Sequence, residues 1–207
     1  KSDDLLLNIL PENIANRLKK GDNLISDYYS NITMVFIDIV NFTPQAEKIK
    51  ANDLVSILNR LFKTYDDLAI KCNIEKIKTI GDSYFAISQL GNDKITSAID
   101  VIEFSKKIMQ NTYNINKDIT KMDLQVRIGV HSGPVTTGVI GKNKFAFDLW
   151  GPSVNKASRL ESTCPPGKIQ ISEETKALIG ERYKMTVRKN TLVKGIGRIN
   201  TYLLELH

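Results

Sequence analysis

The sequence has 207 residues, of which 42% are hydrophobic and 25% charged, so it is long enough for one globular domain and is neither disordered nor fibrous. Its 29 Lys and Arg residues exceed its 23 Asp and Glu residues, and the net charge of +6 indicates an anionic partner without distinguishing nucleic acid, a membrane surface or a phosphorylated small molecule. Two cysteines and no long apolar run exclude a disulfide framework and a membrane-spanning segment.

Residues 1–30 are predicted to form a helical leader that links an upstream regulatory region to a domain over residues 31–207. The leucines of residues 5–10 and the four-residue spacing of Ile14 and Leu18 favour two short helices, before and after Pro11. The leader is interpreted either as the tail of an upstream dimerising helix or as helices folded back on their own domain.

The domain itself begins with an apolar, β-branched run at residues 32–40, which is typical of a buried central strand. Thr43 as a helix cap and Pro44 in the first turn predict a helix that continues to about residue 71. Residues 75–80 and 84–90 are predicted to form a hairpin around residues 81–83, and a second helix is predicted over residues 94–113.

The second half of the domain is predicted to complete the sheet. Residues 124–130 alternate as a strand, and Ser132-Gly133-Pro134 is predicted to turn the chain into a strand at 135–140. This βαββαβ order predicts an α+β fold with a ferredoxin-like sheet and helices on one face. A C-terminal α/β extension follows, with helices at 153–161 and 173–179, a strand at 168–172 and a closing strand pair.

Two aspartates carry the strongest chemical signal. Asp38 lies near the end of the most apolar strand, where an unpaired carboxylate is costly to bury, and Asp82 lies in the hairpin turn. If the hairpin is next to the first strand, the two carboxylates converge and suit Mg²⁺ or Mn²⁺. The alternative is that Asp38 ends its strand exposed and Asp82 only occupies a turn.

Two weaker signals concern phosphate and ribose. Phe42 and Thr43 lie between the first strand and a helix N-terminus, where free backbone N–H groups favour anions. Asn155 and Arg159 are four residues apart, so they share one face of a helix and could bind a ribose and a phosphate. Either signal alone is equally compatible with an ordinary loop or a polar helix face.

Five ordered motifs together carry a family resemblance. They are VFIDIVNFT (35–43), KIKTIGDSY (76–84), VRIGVHSG (126–133), FDLWGPSVNKASR (147–159) and VKGIG (193–197). In these motifs the chain resembles the catalytic domain of class III nucleotidyl cyclases, the adenylyl and guanylyl cyclases, over residues 30 to 206. It departs at Asn41, where members of the family often have Gly.

The resemblance implies a site shared between two subunits of a head-to-tail homodimer with two such sites. One subunit holds two Mg²⁺ or Mn²⁺ ions through Asp38, Asp82 and the carbonyl of Ile39. The same resemblance assigns the triphosphate to Phe42, Thr43 and Arg127. From the other subunit come the base, ribose and transition-state residues, which match Lys78, Asp148, Asn155, Arg159 and Lys194.

The implied reaction is metal-assisted, in-line attack of the substrate 3′-hydroxyl on the α-phosphate, with release of pyrophosphate. Lys78 donates and Asp148 accepts hydrogen bonds, which fits adenine and opposes guanine, whereas guanylyl members usually carry Glu and Cys at these positions. The sequence therefore predicts an adenylyl cyclase domain with ATP as substrate. The domain is expected in the cytoplasm, even if the full-length protein is attached to a membrane, and an upstream regulatory domain is expected before it.

Two alternatives remain open at this point, and two others are disfavoured. A guanylyl cyclase would share every motif except the base-reading pair, and a catalytically silent dimeric module would share the fold. A nucleic-acid binder is disfavoured because no basic stripe or set of stacking aromatics is present. A diguanylate cyclase would carry a Gly-Gly-Asp/Glu-Glu-Phe hairpin, where this chain has Gly81-Asp82-Ser83-Tyr84.

Overall fold

The computed structural model describes residues 2–206. Its helices are α1 (Ser2–Leu7), α2 (Glu12–Lys19), α3 (Phe42–Ala46), α4 (Ala51–Lys71), α5 (Lys94–Asp118), α6 (Pro152–Ser162) and α7 (Glu173–Ile179). Its strands are β1 (Ser26–Ile39), β2 (Ile74–Ile80), β3 (Ser83–Ser88), β4 (Val126–Ile140), β5 (Ala146–Trp150), β6 (Ile169–Ser172), β7 (Met185–Val193) and β8 (Gly197–Leu204).

All of these strands belong to one mixed sheet in the order β2-β3-β1-β4-β6-β8-β7, with β5 paired to β4. The first four strands of that order are antiparallel neighbours, as expected for a ferredoxin-like βαββαβ unit. β6 joins β4 in parallel and continues the sheet into β8 and β7. The predicted α+β fold with a C-terminal extension is confirmed.

Helices cover both faces of the sheet, which corrects the expectation of helices on one face. Val35, Ile37 and Ile39 of β1 face the cluster that α4, α5 and α7 complete. Met34, on the opposite face of β1, packs in a second cluster with residues of α2 and α6. A strand that is apolar on both faces requires cover on both sides, so the continuous apolar run of β1 already implied this arrangement.

The predicted turn at residues 132–134 is wrong, because β4 continues through it. The register of β4 against β1 shifts between Tyr29 and Ile32, which pair with Val135 and Gly133. Pro134 therefore lies opposite a bulge in β1. A bulge is one of the few places in a sheet where proline is tolerated, since its missing N–H interrupts no regular ladder there.

The helix predicted from Thr43 to residue 71 is divided in two. Asn41 adopts a left-handed backbone conformation (φ 53°, ψ 36°) directly before α3, so Thr43 lies inside α3 and is not its cap. Lys50 is extended (φ −61°, ψ 140°) before α4, which separates the two helices. The described chain also has β5, which the sequence analysis did not predict, and α5 continues to Asp118, beyond the predicted end at residue 113.

The leader packs on its own domain. Leu10, Ile14 and Ala15 are buried in the second cluster, which favours the folded-back interpretation, while Leu5 and Leu7 of α1 remain exposed. No helix in residues 2–206 is long and apolar enough to cross a membrane.

A buried chain of hydroxyl groups joins β1 and β4 to α7. Thr33 Oγ1 and Ser132 Oγ are 2.7 Å apart, and Ser132 Oγ lies 2.9 Å from Thr175 Oγ1. His131 Nδ1 is 2.8 Å from the Oγ of Ser172, which also caps α7 by accepting from the Thr175 N–H. Burial lowers the pKa of His131 to about 4, so this imidazole is neutral at pH 7.

Candidate active site

The two predicted carboxylates converge at one edge of the sheet. Asp38 lies next to Ser83 in the β1–β3 ladder, and its Oδ1 accepts a 3.0 Å hydrogen bond from the Ser83 hydroxyl. Asp82 lies in the preceding turn, and its carboxyl group, when protonated, can donate a hydrogen bond to Asp38. The arrangement follows from topology, because the β2–β3 hairpin pairs directly with β1.

The electrostatics of this pair fit a divalent cation. Burial, the hydrogen bond to Asp38 and the charge of Asp38 raise the pKa of Asp82 to about 6. A bound cation would remove this repulsion and favour both carboxylates in their charged form. No group of three or more acidic, histidine or cysteine side chains in residues 2–206 is arranged to hold a metal ion, so the carbonyl of Ile39, water and phosphate oxygens would complete the coordination.

Arg127 lies beside Asp38 on the neighbouring strand, as the β1–β4 register places it. Its Nη2 is 3.4 Å from Asp38 Oδ2, and its Nε donates a 2.7 Å hydrogen bond to Glu161 Oε1. The sequence analysis assigned Arg127 to phosphate but missed Glu161. The available signal was a glutamate on the buried side of α6, next to Ala157 and Leu160, because buried carboxylates are normally paired.

Two glycines of β4 allow α6 to lie directly on the sheet. A Cβ at Gly129 would be 2.1 Å from the backbone nitrogen of Glu161, and a Cβ at Gly133 would be 2.5 Å from Ser153 Oγ. The helix therefore runs from Gly133 toward Gly129, and its last turn is placed next to Arg127. This close approach explains why glycine occurs twice, four residues apart, on one face of a buried strand.

The predicted phosphate loop lies directly after Asp38 and Ile39. Phe42 begins α3 and Thr43 follows it, so both backbone N–H groups belong to the first turn of a helix and lack intrahelical acceptors. Asn41 supplies the left-handed residue before this turn. Asparagine tolerates that conformation better than most residues, so its presence in place of glycine is compatible with the loop.

The predicted base-reading residues are in direct contact. Lys78 of β2 and Asp148 of β5 form an ion pair in which Nζ lies 2.6 Å from Oδ2. The backbone N–H of Leu149 donates to the other oxygen, Asp148 Oδ1. Both side chains remain partly exposed, at 41% and 22%, so a ligand can reach a donor and an acceptor fixed side by side.

The remaining predicted residues lie on the surface. Asn155 and Arg159 share the exposed side of α6, and Lys194 lies in the β7–β8 turn. Within residues 2–206, their side chains make no hydrogen bond or ion pair. An unpaired guanidinium, an ammonium and an amide are thus free to bind a phosphorylated ligand.

Comparison with known sequences identifies one family over almost the whole chain. The profile of the adenylate and guanylate cyclase catalytic domain matches residues 24–206. An adenylate cyclase of Mycobacterium tuberculosis is 37% identical over 99% of this chain and 46% of its own length. A membrane guanylyl cyclase of Dictyostelium discoideum is 33% identical over 99% of this chain and 14% of its own length. The chain thus spans less than half of these relatives.

Solved structures agree with the sequence comparison. The catalytic core of a rhodopsin-guanylyl cyclase with converted specificity, in complex with ATPαS, superposes with a TM-score of 0.79 at 34% identity. The match covers 86% of this chain and 97% of that structure. The solved structure and the family profile therefore agree on the fold of this chain.

Proposed function

Because this chain belongs to the adenylate and guanylate cyclase catalytic domain family, we propose that it converts ATP to 3′,5′-cyclic AMP and pyrophosphate. Cyclisation of a nucleoside triphosphate is the activity of the family. The choice of ATP depends on one observation, the 2.6 Å contact between Lys78 Nζ and Asp148 Oδ2.

The contact supports adenine because of the hydrogen-bonding capacity of the two side chains. A lysine ammonium only donates, and an ionised aspartate only accepts. Adenine presents an acceptor at N1 and a donor at N6, so it satisfies both groups, whereas guanine presents the reverse pattern and leaves both unpaired. A site with mismatched hydrogen-bonding groups of this kind can lower kcat/KM for the wrong substrate by several orders of magnitude. The mycobacterial relative, named adenylate cyclase, supports the same choice.

Asp38 and Asp82, with the Ile39 carbonyl, are proposed to hold two Mg²⁺ or Mn²⁺ ions. Such ions lower the pKa of a bound hydroxyl and neutralise charge on phosphate oxygens. The residues fit this task because burial, followed by the interaction with Asp38, raises the pKa of Asp82, so that a cation or a proton is needed to offset the charge of the pair.

The other side chains bind and orient the nucleotide. The N–H groups of Phe42 and Thr43 donate to the triphosphate, and Arg127 and Lys194 bind its outer phosphates. Asn155 orients the ribose so that the 3′-hydroxyl is in line with the α-phosphorus. Arg159 stabilises the negative charge that develops on the α-phosphoryl group. The bond from the 3′-oxygen to phosphorus forms as the bond to pyrophosphate breaks.

A head-to-tail homodimer is proposed to assemble two sites. The unpartnered side chains Asn155, Arg159 and Lys194 have nothing to bind within the described chain, and they would meet the carboxylates of a second copy. Ile80 and Trp150 are exposed apolar side chains at the ends of β2 and β5, and they provide apolar surface for such contact. Residues 1–30 are proposed to link this domain to an upstream regulatory region.

The test is an assay of the purified protein with ATP and with GTP, each in the presence of Mn²⁺. We expect cyclic AMP to form at least 100-fold more efficiently than cyclic GMP, as kcat/KM. Faster formation of cyclic GMP would assign the chain to the guanylyl cyclases, of which one relative is an example, and no product from either nucleotide would indicate a silent module.

A further inference from the structure

We propose that Glu161 is a positioning residue that holds Arg127 away from Asp38, so that Asp38 is available to a divalent cation and Arg127 to substrate phosphate. The proposal rests on the proposed function for the identity of the two ligands. It concerns a residue outside the five sequence motifs, and it follows from how one guanidinium is shared between two carboxylates.

The two contacts of Arg127 are unequal. The Nε–Oε1 distance to Glu161 is 2.7 Å, which is short for a charge-assisted hydrogen bond, while the Nη2–Oδ2 distance to Asp38 is 3.4 Å. Hydrogen bonds weaken steeply toward that length. Arg127 is therefore held mainly by Glu161, and its remaining N–H groups face the side of Asp38.

Glu161 is placed for this task by the backbone of α6. Its side chain is only 9% exposed, and the absence of a Cβ at Gly129 lets its backbone approach β4 closely. Burial and the charge of Asp38 raise the pKa of Glu161 to about 7, and the contact with Arg127 opposes that rise. The 2.7 Å contact between Glu161 Oε1 and Arg127 Nε favours the charged carboxylate, and in that form the pair holds both side chains in one arrangement.

The charges of the site explain what happens without Glu161. The Arg127 guanidinium contacts two carboxylates, Asp38 and Glu161, and the charge of Asp82 also acts on Glu161. If Glu161 is neutral, the nearest carboxylate to Arg127 is Asp38, and the guanidinium moves to form the closer ion pair. Asp38 is then neutralised by a side chain, and a divalent cation must displace that side chain before it binds.

The experiment compares Glu161→Gln with Glu174→Gln. Both replace a carboxylate by an isosteric amide, and both break a 2.7 Å ion pair, that of Glu161 with Arg127 of β4 and that of Glu174 with Lys156 of α6. Mn²⁺ binding is measured by electron paramagnetic resonance of the free ion, with and without α,β-methylene-ATP, which is not cyclised. Thermal unfolding and the kinetic dependence on Mn²⁺ and ATP are measured on the same preparations.

We expect Glu161→Gln to weaken Mn²⁺ binding about 10-fold or more, the scale of losses at residues that support metal ligands. The half-saturating Mn²⁺ concentration and KM for ATP should rise together, while Glu174→Gln leaves Mn²⁺ binding within twofold of the wild type. Glu161→Asp, which keeps the charge, should recover part of the affinity.

Unchanged Mn²⁺ binding in Glu161→Gln would overturn the proposal, and so would equal losses in the two Gln variants or a wild type that binds no Mn²⁺. A wild type that binds Mn²⁺ and loses it on Glu161→Gln, but makes no cyclic nucleotide, would support the role of Glu161 and refute the proposed function. The two conclusions can therefore fail separately.

Discussion

The contact between β4 and α6 makes a sharp prediction for Gly129→Ala. The added Cβ would lie 2.1 Å from the Glu161 nitrogen and 2.7 Å from both the Glu161 Cα and the Leu160 carbonyl carbon. Ordinary Cβ contacts begin near 3.4 Å, so about 1.3 Å of movement is required. All three atoms are backbone, and no side-chain rotation relieves the overlap.

The magnitude follows from the cost of overpacking. A single added methyl group in a packed core costs about 1–3 kcal/mol, and the backbone clash places Gly129→Ala at the upper end. The lower chain entropy of the unfolded alanine variant offsets roughly 0.5–1 kcal/mol of it. We expect a net loss of about 2–2.5 kcal/mol, or a fall in melting temperature of roughly 4–10 °C for a domain of this size.

Gly133→Ala is the matched control, because it lies on the same face of the same strand under the same helix. Its Cβ would lie 2.5 Å from Ser153 Oγ, 3.1 Å from His131 Nε2 and 3.3 Å from Ser153 Cβ. All three atoms belong to side chains, and the closest one is a hydroxyl that can rotate. Urea unfolding and activity are measured for both variants. In Gly129→Ala, the loss in kcat/KM, expressed as a free energy, should exceed the loss in the free energy of unfolding, because the displaced turn carries Arg159 and Glu161. Equal stability of the two variants would refute the reasoning.

Three further predictions concern individual charges. His131 has a folded pKa of about 4, below the ordinary 6.5, so the unfolded state binds the proton first. The contribution of His131 to stability should fall by about 1–2 kcal/mol between pH 7.5 and pH 5, while Asp82 and Glu161, whose pKa values are raised, contribute in the opposite direction. Urea unfolding should show that His131→Gln loses the His131 contribution, whereas Glu174→Gln keeps most of it. Asp82→Ala should unfold at a temperature equal to or above that of the wild type without Mn²⁺, since it removes the repulsion with Asp38, yet it should lose at least 100-fold in turnover. Lys78→Glu combined with Asp148→Cys should shift the ratio of kcat/KM values toward GTP by 100-fold or more.

Each of these has an outcome that contradicts it. The pH prediction is wrong if the wild type and His131→Gln lose stability in parallel as the pH falls. Near-normal turnover by Asp82→Ala would remove this residue from the metal site. An unchanged preference for ATP in the double variant would show that the base is read by other residues, whatever the activity of the wild type.

The convergence of Asp38 and Asp82 was predictable from sequence because it depends only on topology. The βαββαβ order pairs the hairpin with the first strand, and the position of each aspartate at a strand end or turn then fixes the edge at which they meet. The Asn155 and Arg159 pair was predictable for the same reason, since a helix brings residues four apart onto one face.

The errors arose where a local signal depends on a distant partner. Pro134 resembles a turn residue until the bulge at Tyr29 and Ile32 is known to lie opposite it. The role of Glu161 depends on how closely α6 packs against β4 at Gly129. The periodicity of a helix predicts which face is buried, but it does not predict this distance. The break between α3 and α4 depends on single backbone conformations at Asn41 and Lys50, which propensity does not specify.

The pairing of β1 with a strand on each side determines which part of the domain a regulator could move. The β1 segment Met34–Asp38 is hydrogen-bonded to β3 on one side and to β4 on the other, and Asp38 stands at the end of that segment. Amide hydrogens there should exchange only on global unfolding, so Asp38 rests on the part of the chain that deforms least. Asn155, Arg159 and Lys194 lie on the surface, and in the proposed homodimer their distance from the Asp38 of the other copy depends on how the two copies meet. A regulator that changes the angle between subunits would therefore alter the rate of turnover while leaving each fold intact.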